Sequence, residues 1–253
     1  MKALRAAWAL PLVAFLACTP KGSPRMRAFP NLMLWAWEAP QDLRFLQGQD
    51  IGVAFYAGQL RLRGHDLDRR RRRTPLLTAP STPLMAVVRV DGDPGDPPAL
   101  DDAQLRAVLA ELNGALSLPG VKGLQIDFDA RLSERAFYTR LLGAFRAEHP
   151  ATPLSMTALV SWCGRDGWIK DLPVDEAVPM CFRMGPEAAE IRARLSRGVD
   201  FGPDLARTSL GISLDEPWQV IPLKWRSRRR VYVFTEGAWT KDTVDRLKGA
   251  LSR

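Results

Sequence analysis

The sequence lacks the motifs that build metal centres and several common active sites. It contains two histidines, His65 and His149, and neither stands in a metal-ligand pattern such as HExxH or beside a CxxC. No GxSxG is present, which disfavours a serine hydrolase of that type. No glycine-rich phosphate loop follows the first strand, where WAWEAP stands instead. We therefore expect no metal and no organic cofactor.

Cysteine is also scarce, with three in 253 residues, and the first belongs to a segment that resembles a secretory signal. In MKALRAAWALPLVAFLAC, Lys2 and Arg5 precede an apolar run that is too short to span a bilayer as a helix. The ending FLAC resembles a bacterial lipobox, in which Cys18 receives lipid. Simple secretion stays open, because Phe15 stands where leucine is usual.

Export sets the predicted location and domain limits. We expect a signal over residues 1–17, a flexible tether over 18–29 and one domain over 30–253. The protein would be an envelope lipoprotein, periplasmic or at the outer membrane, that contacts the membrane only through its lipid anchor. The remaining cysteines, Cys163 and Cys181, form a disulfide or stay as two buried free thiols, and both alternatives are open.

The net charge is +8, and five of the basic residues form the run Arg69–Arg73. Such a run binds anionic ligands in some proteins and is a solvated loop or edge strand in many others. No aromatic residues are interleaved with it, so we expect no nucleic-acid partner.

Eight apolar runs predict strands, at about 31–37, 51–58, 84–91, 121–128, 154–161, 176–183, 208–214 and 229–235. Helical patterns follow the third, fourth, sixth and eighth runs. This alternation predicts an α/β fold, a single (β/α)8 TIM-like barrel whose helical layer is thin after strands 1, 2 and 7. An open doubly wound sheet is the alternative. We expect a monomer.

Acidic residues stand at the carboxyl ends of several predicted strands. In a barrel these ends surround one mouth, where catalysis takes place, although strand ends are polar in many proteins. The candidate catalytic residues are Glu38, Asp91, Asp127, Asp129 and Glu216.

Asp127 and Asp129 form the most specific pair, in the stretch VKGLQIDFDA. Residues two apart on a strand share a face and lie about 6.6 Å apart along it. Crowded carboxylates raise each other's pKa, so that one can hold a proton at neutral pH as a general acid does. A structural pair bound to arginine or backbone groups is the alternative.

Tryptophans are frequent at strand ends and in the loops that follow. Indole rings stack on sugar faces, although filling the core is the commoner role of a single tryptophan. Trp37 and Trp162 are the predicted sugar platforms, and Arg183 and Glu236 are further predicted substrate contacts.

Three segments, GLQIDFDA, LSMTALVSWC and LPVDEAVPMCFRMG, resemble the bacterial family called domain of unknown function 3142. That resemblance implies a glycoside-hydrolase-like barrel. More remotely, GLQIDFD resembles the fourth-strand signature of chitinase-like family 18 glycoside hydrolases, Asp-Gly-x-Asp-x-Asp-x-Glu. On that pattern Gly123 matches the glycine, Asp127 matches the last aspartate, and Asp129 replaces the catalytic glutamate with a side chain one methylene shorter.

Three functional hypotheses follow. The first is a cell-envelope glycoside hydrolase that acts on a polysaccharide or oligosaccharide through carboxylate acid/base chemistry. The second is a non-catalytic envelope lipoprotein that binds carbohydrate, and the replaced glutamate favours it. The third is a structural envelope protein whose strand-end acids form separate ion pairs.

Overall fold

Eight parallel strands close into one barrel in the computed structural model, which describes residues 22–164 and 167–251. Each strand pairs with the next, and β1 pairs with both β3 and β11, so the ring is closed. The predicted (β/α)8 barrel is confirmed and an open sheet is excluded. The barrel strands are β1 (Leu32–Ala36), β3 (Ile51–Arg63), β6 (Leu84–Gly92), β7 (Val121–Phe128), β8 (Leu154–Leu159), β9 (Glu176–Met180), β10 (Ser209–Ser213) and β11 (Arg230–Phe234).

The helical layer is incomplete, as the sequence predicts. Short strands β2 (Gln41–Leu43), β4 (Asp66–Arg71) and β5 (Leu76–Thr78) follow the first two barrel strands, and β8 leads into the 3-10 helix Val160–Cys163. None of the helices in the described residues is long and apolar enough to cross a membrane. The α-helices are α1 (Asp102–Leu116), α2 (Arg135–Glu148), α3 (Ala188–Ser196), α4 (Leu223–Arg226) and α5 (Lys241–Leu251).

The buried side chains of the strands form two separate cores. One lies between the strands and the helices and contains, for example, Ile126 and Leu141. The other fills the barrel interior and includes Met33, Trp35 and Tyr232. Because successive strand residues point to opposite faces, nearly every residue of β7 from Gly123 onward is buried. The same alternation places the side chain of Asp127 in the interior.

The segment before β1 closes the amino-terminal end of the barrel and is not a free tether. Residues 24–28 form a 3-10 helix, and Met26 and Phe29 join the interior core. A Cβ atom at Gly123 would lie 2.9 Å from the Phe29 ring, so glycine leaves the space this ring fills. The predicted tether over 18–29 is therefore wrong for this part, while residues 18–21 lie outside the described residues.

A ladder of polar side chains crosses the barrel interior above this plug. The buried Glu176 accepts hydrogen bonds from the Tyr232 hydroxyl at 2.5 Å and from Ser155 at 3.1 Å, and pairs with Arg230 at 2.7 Å. Gln125 donates to Ser155 at 2.9 Å. Its carbonyl in turn accepts from Trp35 Nε1 at 2.7 Å. Each polar side chain of this ladder has a partner within it, so the ladder fixes the orientation of the side chains below the mouth.

The arginine run lies on a hairpin outside the ring. β4 pairs antiparallel with the second half of β3, from Gly58–Arg71 to Arg63–Asp66. Arg69 and Arg71 face Glu111 of α1, at 2.7 and 3.7 Å. Arg70 pairs with Glu38 and Arg72 donates to backbone carbonyls of the loop after β1. Four of the five guanidinium groups thus make contacts within the chain. This favours the interpretation of Arg69–Arg73 as part of a structural edge strand over that of a site for an anionic ligand.

Arg230→Met tests how far the buried ion pair supports the barrel. Glu176 is 1% exposed, so removal of Arg230 leaves an uncompensated charge, and the amino-terminal plug loses its bonds to the guanidinium. We expect the free energy of unfolding to fall by about 3–5 kcal/mol in urea titrations. The exposed Arg228 is the matched control, and Arg228→Met should change it by less than about 0.5 kcal/mol. Equal effects of the two changes would contradict this role.

Candidate active site

The carboxyl ends of the strands surround a cavity of about 730 Å³. Its position agrees with the place where barrel enzymes carry their active sites. Four of the predicted site acids line it, together with one predicted tryptophan and arginine. These are Glu38, Asp127, Asp129, Glu236, Trp37 and Arg183.

Asp127 lies at the inner wall and is held on both carboxylate oxygens. Thr157 of β8 donates a hydrogen bond to Oδ1 at 2.7 Å, and Arg89 of β6 approaches Oδ2 at 3.3 Å. Its side chain is 8% exposed. Burial raises the pKa of Asp127, while the Arg89 charge and the Thr157 hydrogen bond oppose that rise. This carboxylate is fixed in orientation and has little freedom to leave the wall.

Asp129 lies just beyond the end of β7 and is the freer of the two acids. Its side chain is 40% exposed, and among the described residues it forms an ion pair with Arg89 Nη2 at 3.9 Å. Burial, and secondly the negative charge of Asp127, raise the pKa of Asp129 to about 6, against the opposing charge of Arg89. A carboxyl group with this pKa holds a proton in part of the molecules near neutral pH. Asp129 therefore has the properties of a general acid.

Arg89 joins the acids of neighbouring strands. Its guanidinium lies 3.0 Å from Asp91, besides its contacts with Asp127 and Asp129. Asp91 also accepts a hydrogen bond from Gln59 of β3 at 2.6 Å. The sequence prediction missed Arg89, although it stands two residues before Asp91 on the same face of its strand.

Two of the predicted catalytic acids do not line the cavity. Asp91 forms an ion pair with Arg89 and accepts a hydrogen bond from Gln59, so it holds the Arg89 guanidinium in place. Glu216 accepts from the backbone N–H of Arg183 at 2.8 Å and from Arg192 at 2.7 Å, so it braces the loop after β9. Both acids therefore have structural partners rather than a free face towards a substrate.

The two predicted aromatic platforms have different fates. Trp37 is half-buried on the cavity wall and packs against Tyr56 and Phe234, with ring centroids 5.1 and 6.4 Å apart. Trp162 is 3% exposed and lies against Trp168 in the outer core. Its prediction as a platform is wrong, because packing with another tryptophan removes its faces from the mouth.

A second aromatic wall was missed by the sequence prediction. Phe182 and Phe234 stack with an interplanar angle of 4° and a centroid distance of 5.6 Å, and both line the cavity with Trp35. A Cβ atom at Gly211 would lie 2.9 Å from the Trp35 ring, so this glycine makes room for the indole. Trp35 lies on β1, Phe182 follows β9 and Phe234 ends β11. These segments are distant in the sequence, and only the closed barrel brings their rings together.

Arg183 lies on the rim in a conformation that is uncommon for a residue with a side chain. Its φ is 50°, in the left-handed region, and such strain is frequent at functional sites. The guanidinium lies 3.0 Å from Glu236 and 5.2 Å from the centroid of Phe234. The backbone bond to Glu216 holds this geometry.

The cysteines and potential metal ligands add no chemistry to the site. Cys163 and Cys181 are buried free thiols, and burial raises the pKa of both. The free-thiol alternative is thus the one the structure shows, while Cys18 lies outside the described residues. Among the described residues no group of three or more His, Cys, Asp or Glu is arranged to hold a metal ion.

Asp129→Asn should stabilise the fold at neutral pH. The pKa of Asp129 in the native state lies above the ordinary value of 3.8, so its ionisation between about pH 4 and 6 destabilises the native state. We expect a gain of about 1 kcal/mol at pH 7.5, a small value because solvent screens the exposed part of the charge, and no gain at pH 4. Urea titrations at the two pH values measure it. An equal effect at both would contradict the raised pKa.

Comparison with known proteins identifies a family over part of the chain. No curated protein matches the sequence. A family model does match, over residues 80–171, and this segment contains β6, β7 and β8 with Arg89, Asp127, Asp129 and Thr157. The central acids of the cavity therefore fall within the matched segment. Residues 80–171 match the model of the family described as Domain of unknown function (DUF3142).

Proposed function

We propose that the protein is a glycoside hydrolase that binds a polysaccharide or oligosaccharide in the mouth cavity, with Asp129 as general acid. The observation that carries this proposal is a partly exposed carboxyl group with a pKa of about 6 in a cavity lined by indole and phenyl rings. Glycoside hydrolysis needs a carboxylic acid that still holds its proton near neutral pH. Aromatic rings supply flat apolar faces for sugars.

Asp127 has a different role in this scheme. Both its oxygens are engaged, by Thr157 and by Arg89, so it is fixed and is a poor nucleophile. Its negative charge raises the pKa of Asp129 and favours a positively charged, oxocarbenium-like transition state. Asp127 would therefore tune the acid and stabilise charge at the reacting sugar.

The second reacting carboxylate would come from across the mouth. Glu38 follows β1 and Glu236 follows β11, and both line the cavity. Each has one arginine partner: Arg70 lies 3.2 Å from Glu38, and Arg183 lies 3.0 Å from Glu236. A separation of about 5–5.5 Å from Asp129 would give retention, and about 6.5–9.5 Å inversion.

Carbohydrate binding without cleavage is the second candidate function. The observation that favours it is Asp129 itself, which is one methylene shorter than the glutamate of the chitinase-like signature. An acid placed about 1 Å too far from the glycosidic oxygen loses on the order of a hundredfold in rate. The cavity and its aromatic walls would remain a binding groove.

We also propose that the protein acts in the cell envelope, anchored through lipid on Cys18. The signal-like segment supports this location. Metabolic labelling with a fatty acid should mark the wild type and leave Cys18→Ser unlabelled. Equal labelling of both would contradict lipidation at this residue.

Asp129→Asn is the direct test of the acid. On a glycan that the wild type cleaves, we expect kcat to fall by about 10²–10⁴-fold with little change in KM, since the proton donor is lost and the groove is kept. Asp50→Asn is the control, because Asp50 is exposed and lies just before β3, away from the mouth. Full turnover by Asp129→Asn would contradict the assignment. Sugar binding without release of reducing ends by the wild type would select the second candidate function.

The pH dependence of kcat/KM tests the pairing of the two aspartates. Since the acid must be protonated, kcat/KM should fall as the pH rises through about 6. Asp127→Asn removes the neighbouring negative charge, so the inflection should move to lower pH. An inflection that stays in place in this variant would show that Asp127 does not tune the acid.

A further inference from the structure

The mouth cavity carries the opposite charge to the chain as a whole. Among the residues that the structure describes, two guanidinium groups line it, those of Arg89 and Arg183. Five carboxyl groups of the described residues line it with them, so two positive and five negative groups give these residues a formal charge of −3, in a chain of net charge +8. The five are Glu38, Asp127, Asp129, Glu187 and Glu236.

Two of these carboxyl groups have acceptor capacity left for a ligand. Asp129 has Arg89 as a distant partner at 3.9 Å. Glu187, at the start of α3, makes no ion pair in the described part of the chain. Asp127 is fully engaged by contrast. A cationic group of a ligand would form ion pairs with the carboxylates of Asp129 and Glu187, whereas a carboxylate of a ligand would be repelled by them.

The aromatic wall already contacts one cation of the chain itself. The guanidinium of Arg183 lies 5.2 Å from the Phe234 centroid, a cation–π contact within the cavity. Trp37, the ring type that binds cations best, faces the same space. The cavity therefore combines acidic groups with π faces, which is the chemistry that recognises an ammonium group.

We infer that the site takes a glycan with a free amino group, an amino sugar without its acetyl group, in preference to its neutral or uronic-acid counterparts. This inference rests on the proposed function and names its substrate class. The ammonium would lie between the carboxylates and the aromatic wall, with the sugar ring against Trp37. A uronate would place its negative charge in the acidic cavity without compensation.

Calorimetry with matched tetrasaccharides tests the substrate class. The probes are glucosamine and N-acetylglucosamine tetramers, each in β-1,4 and β-1,6 linkage, and a β-1,4-linked uronic-acid tetramer, with the mature protein at pH 7. We expect the glucosamine form to bind at least about tenfold more tightly than the acetylated form and the uronate to bind most weakly. The preference should shrink when the salt concentration rises from 20 to 300 mM, because exposed charges are screened.

Glu187→Gln locates the preference in the cavity. We expect it to lower the ratio of glucosamine to N-acetylglucosamine affinity about three- to tenfold. Glu190→Gln is the matched control, since Glu190 is an exposed acid of the same helix that does not line the cavity. It should leave the ratio unchanged.

The possible outcomes separate this inference from the proposed function. Equal or tighter binding of the acetylated or uronate form overturns the inference and leaves a carbohydrate site. Unchanged preference in Glu187→Gln overturns the assignment of the cation to this cavity. Binding of none of the tetrasaccharides overturns both the inference and the proposed function.

Discussion

One guanidinium group, that of Arg89, organises the acidic side of the barrel mouth. It contacts Asp91 on its own strand and both Asp127 and Asp129 from the next strand. Three carboxylates at the ends of two adjacent strands repel one another, and this cation makes their close approach tolerable. Because one positive charge cannot compensate three negative charges, some negative charge remains uncompensated. Asp129, which lies farthest from the Arg89 guanidinium, is compensated least. Burial is the main cause of the raised pKa of Asp129, and the negative charge of Asp127, only partly offset by Arg89, raises that pKa further.

The barrel keeps this imbalance from disturbing the fold. Its amino-terminal end is closed by Phe29 and Met26, and its interior polar groups are paired from Glu176 up to Trp35. The mouth has fewer such constraints, since Asp129 and the rim loops are partly exposed. The stabilising contacts are thus concentrated at the closed amino-terminal end of the barrel. The uncompensated charge lies at the open mouth, where a ligand can reach it.

The sequence predicts the strands well because apolar runs and their periodicity report burial directly. All eight barrel strands lie within a few residues of the predicted runs, and the Asp127–Asp129 pair lies at the mouth as strand alternation requires. The errors concern side chains whose surroundings come from distant parts of the chain. Trp162 is buried by Trp168, and the segment before β1 is held by Arg230. The roles of Arg89 and of the Phe182–Phe234 wall depend on which strands are neighbours, and no local pattern records that.

The ionisation of Asp129 in the free protein tests this account most directly. A carbon-13 titration of its side-chain carboxyl group, assigned by comparison with Asp129→Asn, gives the midpoint without a substrate. The account predicts a midpoint of about 6. A midpoint near the ordinary value of 3.8 would show that Arg89 and solvent compensate burial and the neighbouring charge fully, and that Asp129 is not the general acid.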